Sequence, residues 1–155
     1  MAKHTVLSVE DNSDDILLLQ RACEKSAVTF HLKTVEDGQR AIDYLSGINN
    51  YSDREEFPVP SLVLLDLQIP AKSGLEVLDW IRQKEWSRNL PVVVFTSSQD
   101  KRDVQKAYDK GANWFVTKPA DYQKLQKVAQ SINAYMSGSD AASFSQLETF
   151  LERSK

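Results

Sequence analysis

Leu62-Val63-Leu64-Leu65-Asp66-Leu67-Gln68-Ile69-Pro70-Ala71-Lys72-Ser73-Gly74 is the stretch from which the rest of the chain is read. Four apolar residues in succession, rich in β-formers and set between Pro60 and Pro70, fit a strand buried on both faces, as in the middle of a parallel sheet. Asp66 falls where that strand must stop. Taken alone, a carboxylate carried to a sheet rim either caps a helix or shapes a turn, or it does chemistry. The choice between these depends on what the other strands carry to the same rim.

Working outward, a short apolar strand from Thr5 to Val9 runs into Glu10-Asp11-Asn12-Ser13-Asp14-Asp15. Asn12 or Ser13 can cap a helix there, and Asp14 and Asp15 suit its positive first turn. The helix is expected from about Asp14 to Lys25, with Ile16, Leu17, Leu18, Leu19 and Ala22 as a broad apolar face. Phe30 to Val35 alternates in the manner of a strand near a sheet edge. A short helix from Gly38 or Gln39 to Leu45 comes after the turn at Glu36-Asp37-Gly38.

Residues 47–60 change to Gly, Asn, Ser, Asp, Glu and Pro and read as a surface loop longer than the usual connection, either a tolerated insertion or a partner-binding loop. Beyond the opening stretch, Leu75, Val77, Leu78 and Ile81 mark a helix to about Lys84. Pro91 to Thr96 is a second fully apolar strand. A polar helix from about Asp100 to Lys110 has only Val104, Ala107 and Tyr108 to bury, which makes it a candidate moving part, and Gly111 suits its C-terminal stop. Asn113 to Val116 is the last strand. Asp121 caps a final helix with the stripe Leu125, Val128, Ala129, Ile132. From Ser137 a linker leads to Ser145-x-x-Glu148, a capping box that predicts a short extra helix. The expected organisation is therefore one domain over 1–136 and a tail over 137–155.

Five β-α alternations predict an open α/β fold, a five-stranded parallel sheet with helices on both faces and any ligand at the carboxyl ends of the strands. With 155 residues, 41% hydrophobic and 26% charged, and a net charge of −3, the composition is that of a globular protein. Mild acidity without a basic run argues against nucleic-acid binding. No run approaches the ~18 apolar residues of a membrane span, and no apolar leader segment stands at the N-terminus, so a cytoplasmic protein is expected. The single Cys23 lies in a helical pattern and reads as core.

The residues just beyond each strand are the most informative: Glu10-Asp11 after the first, Asp66 after the third, Thr96-Ser97-Ser98 at the end of the fourth, Lys118-Pro119 after the fifth. Three carboxylates on one rim repel one another and call for a cation. Hard oxygen donors suit Mg²⁺. Lys118 adds a mobile positive charge, and the Thr96 hydroxyl can donate to an anionic oxygen. Carboxylate nucleophile, metal, ammonium and hydroxyl together form an apparatus for accepting a phosphoryl group.

These four motifs, Val9-Glu10-Asp11-Asn12, Leu64-Leu65-Asp66-Leu67 with Pro70 and Gly74, Val92 to Ser97, and Lys118-Pro119, resemble those of the receiver domain of bacterial two-component response regulators. The resemblance covers roughly Lys3 to Met136. The long loop before Pro60, together with Thr-Ser-Ser and Gly-Ala-Asn-Trp-Phe-Val-Thr-Lys-Pro, is similar to stand-alone regulators that serve phytochrome-type histidine kinases. The resemblance implies a flavodoxin-like fold in which Asp66 takes a phosphoryl group from a sensor histidine kinase or phosphotransfer protein and the output is a protein–protein interaction. It further implies Mg²⁺ held by Glu10, Asp11, Asp66 and the backbone carbonyl of Gln68. Thr96 and Lys118 would contact the phosphoryl oxygens, with Thr96 and Phe115 as the switch pair and a cis peptide between Lys118 and Pro119. Phe115 stands where tyrosine is frequent. The tail is too short for a DNA-binding domain, and the Trp, Tyr and Phe residues of the second half leave a homodimer open.

Three rivals remain open on the sequence. A phosphorylation-independent adaptor is one. An aspartyl-nucleophile phosphohydrolase would want a second acid where Gln68 stands. A flavin carrier on the same fold is disfavoured by the acidic loop after the first strand, which would repel a flavin phosphate.

Overall fold

The computed structural model describes residues 4–138. The chain alternates strand and helix throughout: β1 (Thr5–Val9), α1 (Ser13–Lys25), β2 (His31–Val35), α2 (Gly38–Ser46), a single 3₁₀ turn (Asn49–Tyr51), β3 (Leu62–Leu65), α3 (Gly74–Gln83), β4 (Val92–Thr96), α4 (Lys101–Asp109), β5 (Trp114–Thr117) and α5 (Tyr122–Met136). The extra helix expected near Ser145 lies outside the described residues.

All strand pairs are parallel, in the order β2-β1-β3-β4-β5. This is the flavodoxin-like order, and it places the topological switch point between β1 and β3, where such folds bind ligands. β2 is an edge strand, as its alternation predicts, and its central residues are only partly buried. Every residue of β1, β3 and β4 is buried.

Period-two alternation divides the core between the two faces of the sheet. Leu7, Val63, Leu65, Val94 and Phe115 face α2, α3 and α4, whereas Val6, Leu62, Leu64, Val93 and Val116 face α1 and α5. Caps define the helix starts, with Asn12, Asp37, Ser73, Asp100 and Asp121 each accepting from a backbone N–H of the first turn. Ser73 and Glu76 form a reciprocal capping box that the sequence expectations leave out.

The apolar face expected for α1 is narrower than its composition. Leu19, Ala22 and Cys23 are buried, but Leu17 and Leu18 are 45% and 40% exposed. Four consecutive apolar residues span about 300° of helix, so they cannot all face one sheet. The aromatic residues of the second half also show less than expected: Phe95 and Phe115 are buried, and Trp114, Tyr122 and Tyr135 pack on the α1/α5 layer. Trp86, at 52% exposure, is the large exposed ring among the described residues.

Residues 47–60 are more firmly held than a tolerated insertion requires. The Arg54 guanidinium donates to the carbonyls of Tyr44 (2.8 Å), Leu45 (2.9 Å) and Phe57 (3.0 Å), which satisfies the C-terminal carbonyls of α2. Tyr51 and Phe57 close an aromatic triangle on Tyr44, whose hydroxyl donates to the Pro58 carbonyl. Removing the guanidinium in Arg54→Ala leaves these part-buried acceptors without a charged donor and is expected to cost about 2 kcal/mol in urea unfolding; an unchanged midpoint would contradict the anchoring role. Burial pushes the Cys23 thiol up to about 11, so in mildly alkaline native buffer it should react with a thiol reagent only after unfolding. Rapid modification of the folded protein would count against its place in the core.

Candidate functional site

Four strands end on one rim, and each delivers a polar side chain there. β1 and β3 are adjacent and in register from Val6↔Leu62 to Val9↔Leu65, so the residues next in sequence, Glu10 and Asp66, emerge side by side. The Asp66 N–H donates to the Val9 carbonyl at 3.1 Å and ties the two exits together. Both carboxylates are buried. On the other side, β4 and β5 pair through Thr96↔Thr117, and the Lys118 N–H donates to the Thr96 carbonyl at 2.8 Å.

The loop after Asp66 is shaped by close backbone approaches. A Cβ at Gly74 would lie 2.3 Å from the Asp66 carbonyl oxygen and 2.6 Å from Leu67 Cα, while the Gly74 N–H donates to the Leu67 carbonyl at 3.0 Å. Gly38 meets the same loop from α2: its N–H donates to the Pro70 carbonyl, and a Cβ there would strike Lys72 O at 2.0 Å. Ala71 takes φ 68°, a left-handed conformation that costs a non-glycine residue roughly 1 kcal/mol. The strain persists because α2 and α3 grip the loop from both ends.

Both carboxylate oxygens of Asp66 are occupied. Oδ1 accepts from the Thr96 hydroxyl at 2.8 Å and from the Gln68 N–H at 3.1 Å, and Oδ2 accepts from Lys118 Nζ at 2.8 Å. Lys118 Nζ also reaches Glu10 Oε1 at 2.5 Å and Asp15 Oδ2 at 2.8 Å. The three ammonium protons thus serve three carboxylates. Glu10 Oε2 accepts the Asn12 N–H at 3.1 Å.

Burial pushes the Glu10 carboxyl above its usual range, although Lys118 and the Asn12 N–H oppose the shift. Burial alone would lower Lys118, but its hydrogen bonds to Asp15, Asp66 and Glu10 outweigh it and hold the ammonium above the ordinary lysine value. Both shifts are upward, so both contributions are lost as pH rises, in different ranges. The Lys118 contribution to stability is complete below the ordinary lysine range and is lost as pH rises through the raised value. Glu10 has the same sign in a lower range, because the folded state holds its proton more tightly and stability is lost as pH rises from the usual carboxylate range through the raised value.

Glu10, Asp66, Thr96 and Lys118 are brought together as their strand-end positions predict. Asp11 is not: it stays exposed beside Glu10 and outside the hydrogen bonds of Lys118. Among the described residues no group of three or more His, Cys, Asp and Glu side chains is gathered tightly enough to hold a metal ion. In this arrangement the Lys118 ammonium, rather than a third carboxylate, lies against Glu10 and Asp66 and neutralises them. The donor chemistry still suits a hard divalent cation, since two adjacent buried carboxylates and a third exposed one lie at the switch point.

The Lys118–Pro119 peptide is trans, as no cis bond occurs among the described residues. Trans is the lower-energy isomer of a prolyl bond, and in it Lys118 already reaches all three carboxylates. Phe115 is fully buried under α4, and its N–H donates to the Tyr108 hydroxyl at 2.9 Å. The expected switch pair is thus seen in a single arrangement, with the Thr96 hydroxyl on Asp66 and the Phe115 ring inside.

Sequence reasoning misses Asp15 as a site residue. A negative charge in the first turn of a helix accounts for it, and nothing in a spacing of 103 residues points to Lys118.

The model of the response regulator receiver domain matches residues 6–130. The probable methanogenesis regulatory protein FilR2 of Methanothrix harundinacea is 35% identical over 86% of this chain and 83% of its own. The phosphorylated cyanobacterial phytochrome response regulator RcpA superposes with a TM-score of 0.79 at 34% identity, over 88% of this chain and 96% of its own. The Mn²⁺-bound response regulator Rcp1, from Synechocystis, gives 0.74 at 35% identity over 85% and 93%. The chain belongs to the response regulator receiver domain family, whose members serve phosphorylation-based signalling.

Exchanging Lys118 for methionine leaves Glu10 and Asp66, each with a side chain only 7% exposed, without a counter-charge. Lys118→Met is expected to lose about 3 kcal/mol of stability in metal-free buffer at neutral pH. Urea unfolding checks this, and a variant as stable as wild type would show that the ammonium is not what holds the two carboxylates together.

Proposed function

We propose that Asp66 is the phosphoacceptor of this receiver domain and takes its phosphoryl group from a phosphohistidine on a sensor histidine kinase or phosphotransfer protein. The observation that carries this reading is the setting of Asp66: a buried carboxylate at the switch point, with a hydroxyl on one oxygen and an ammonium on the other. An Asp66 oxygen forms the new bond to phosphorus while the P–N bond of the phosphohistidine breaks and its electron pair leaves on the imidazole nitrogen. Thr96 and Lys118, which already hold the carboxylate, then serve the added phosphoryl oxygens.

Glu10, Asp11, Asp66 and the Gln68 carbonyl are the residues that would hold Mg²⁺, and the Mn²⁺-bound form of the relative Rcp1 supports a role for a divalent ion. When bound, such an ion neutralises charge on the transferring phosphoryl group. Catalysis by the domain is confined to its own phosphorylation and slow dephosphorylation.

Output is a protein–protein interaction in the cytoplasm, made by the unit 1–136. α4 is the element suited to move: it buries only Val104 and Ala107, and its Tyr108 hydroxyl touches β5 at Phe115. Phytochrome-type kinases are the favoured donors, on the likeness to RcpA and Rcp1. The aspartyl phosphohydrolase reading lacks its second acid, because Gln68 occupies that position.

Incubation with Mg²⁺ and acetyl phosphate, then intact-mass measurement, tests the assignment. Wild-type protein should gain one phosphoryl group and Asp66→Asn none. No gain on wild type, or an equal gain on the variant, would defeat it.

A further inference from the structure

Lys118 presents a problem to any divalent cation. The ammonium holds Glu10 Oε1 and Asp66 Oδ2, and these two side chains belong to the proposed metal set. An incoming ion needs their oxygens and repels the ammonium at short range. A lysine bound only to Glu10 and Asp66 would have to give up charged partners without replacement as the ion entered.

Asp15 changes that exchange. It stands on the first turn of α1, where its N–H donates to Asn12 Oδ1 at 3.0 Å and fixes the turn beside the rim. Its Oδ2 takes the third proton of Lys118 at 2.8 Å. The Asp15 side chain is 37% exposed, against 7% for Glu10 and Asp66, so it keeps its charge in contact with water. It is also outside the proposed metal set.

We infer that Asp15 is a positioning residue for Lys118, a solvated berth on which the ammonium stays while Glu10 and Asp66 are released to a divalent cation. The inference rests on the reading of Glu10 and Asp66 as metal ligands. Asp15 acts through Lys118 and touches neither the metal nor the phosphoryl group.

The test is a titration of the metal-free full chain with Mn²⁺, read by the electron paramagnetic resonance signal of the free ion, for wild type, Asp15→Asn, Asp15→Glu, Asp14→Asn and Asp66→Asn. Asp14 is the exposed neighbour on the same turn, so Asp14→Asn removes the same formal charge without touching the contact to Lys118. Asp15→Asn is expected to weaken Mn²⁺ binding about five- to tenfold relative to Asp14→Asn, the loss of one charge-assisted partner for Lys118. Asp15→Glu, which preserves the carboxylate, should recover most of the affinity. An Asp15→Asn titration that matches Asp14→Asn, or that binds Mn²⁺ more tightly than wild type, would overturn the inference and leave the metal reading intact. Wild-type binding that persists in Asp66→Asn would overturn the metal reading, and the inference with it.

Discussion

The ammonium of Lys118 is the interaction on which the rim of this molecule depends. It reaches one carboxylate after β1, one on the first turn of α1 and one after β3, while its own backbone continues β5. Like charges a few ångströms apart at a poorly solvated rim repel strongly, and a single cation among them turns that repulsion into cohesion. The same ammonium links elements far apart in sequence, so the site is assembled only when the whole sheet is.

The sheet supplies the rigidity that such an arrangement requires. β3 is buried on both faces and adjoins both β1 and β4, which leaves the Asp66 backbone little freedom. Thr96 and Lys118, the two groups that hold Asp66, share a backbone hydrogen bond just beyond the Thr96↔Thr117 pair. A displacement of one is therefore passed to the other. Phe115 lies further down the same ladder, opposite Val94, and its N–H is bonded to Tyr108 of α4. A continuous set of contacts thus runs from Asp66 to the least anchored helix, which gives local chemistry at the rim a physical route to the surface.

Much of this is legible from local pattern. The unbroken apolar run of Leu62 to Leu65 marks a central strand, the alternation of residues 30–35 marks an edge, and Asp121 with the stripe from Leu125 to Ile132 marks α5. Strand-end positions bring Glu10, Asp66, Thr96 and Lys118 together because a parallel sheet puts all its carboxyl ends on one side. Long-range pairings are not legible. Arg54 is a polar residue in a polar loop until α2 ends beside it, and Asp15 is an acid in the first turn of a helix until Lys118 arrives from β5. The same limit explains Asp11, since adjacency in sequence to Glu10 does not bring its side chain to the Lys118 ammonium. Leu17 and Leu18 show the corresponding limit of composition, because hydrophobicity cannot say which side of a helix meets the sheet.

The central claim is that the rim organised by Lys118 is where the acyl phosphate forms. Beryllium fluoride, which adds to an aspartate carboxylate as a mimic of that phosphate, allows the claim to be tested by backbone amide NMR in the presence of Mg²⁺. The account predicts that the largest shifts fall at Glu10, at Asp66 to Gln68, at Thr96 and Ser97, and at Lys118, with smaller ones reaching Phe115 and α4. Shifts concentrated elsewhere, or an equal response from Asp66→Asn, would contradict it.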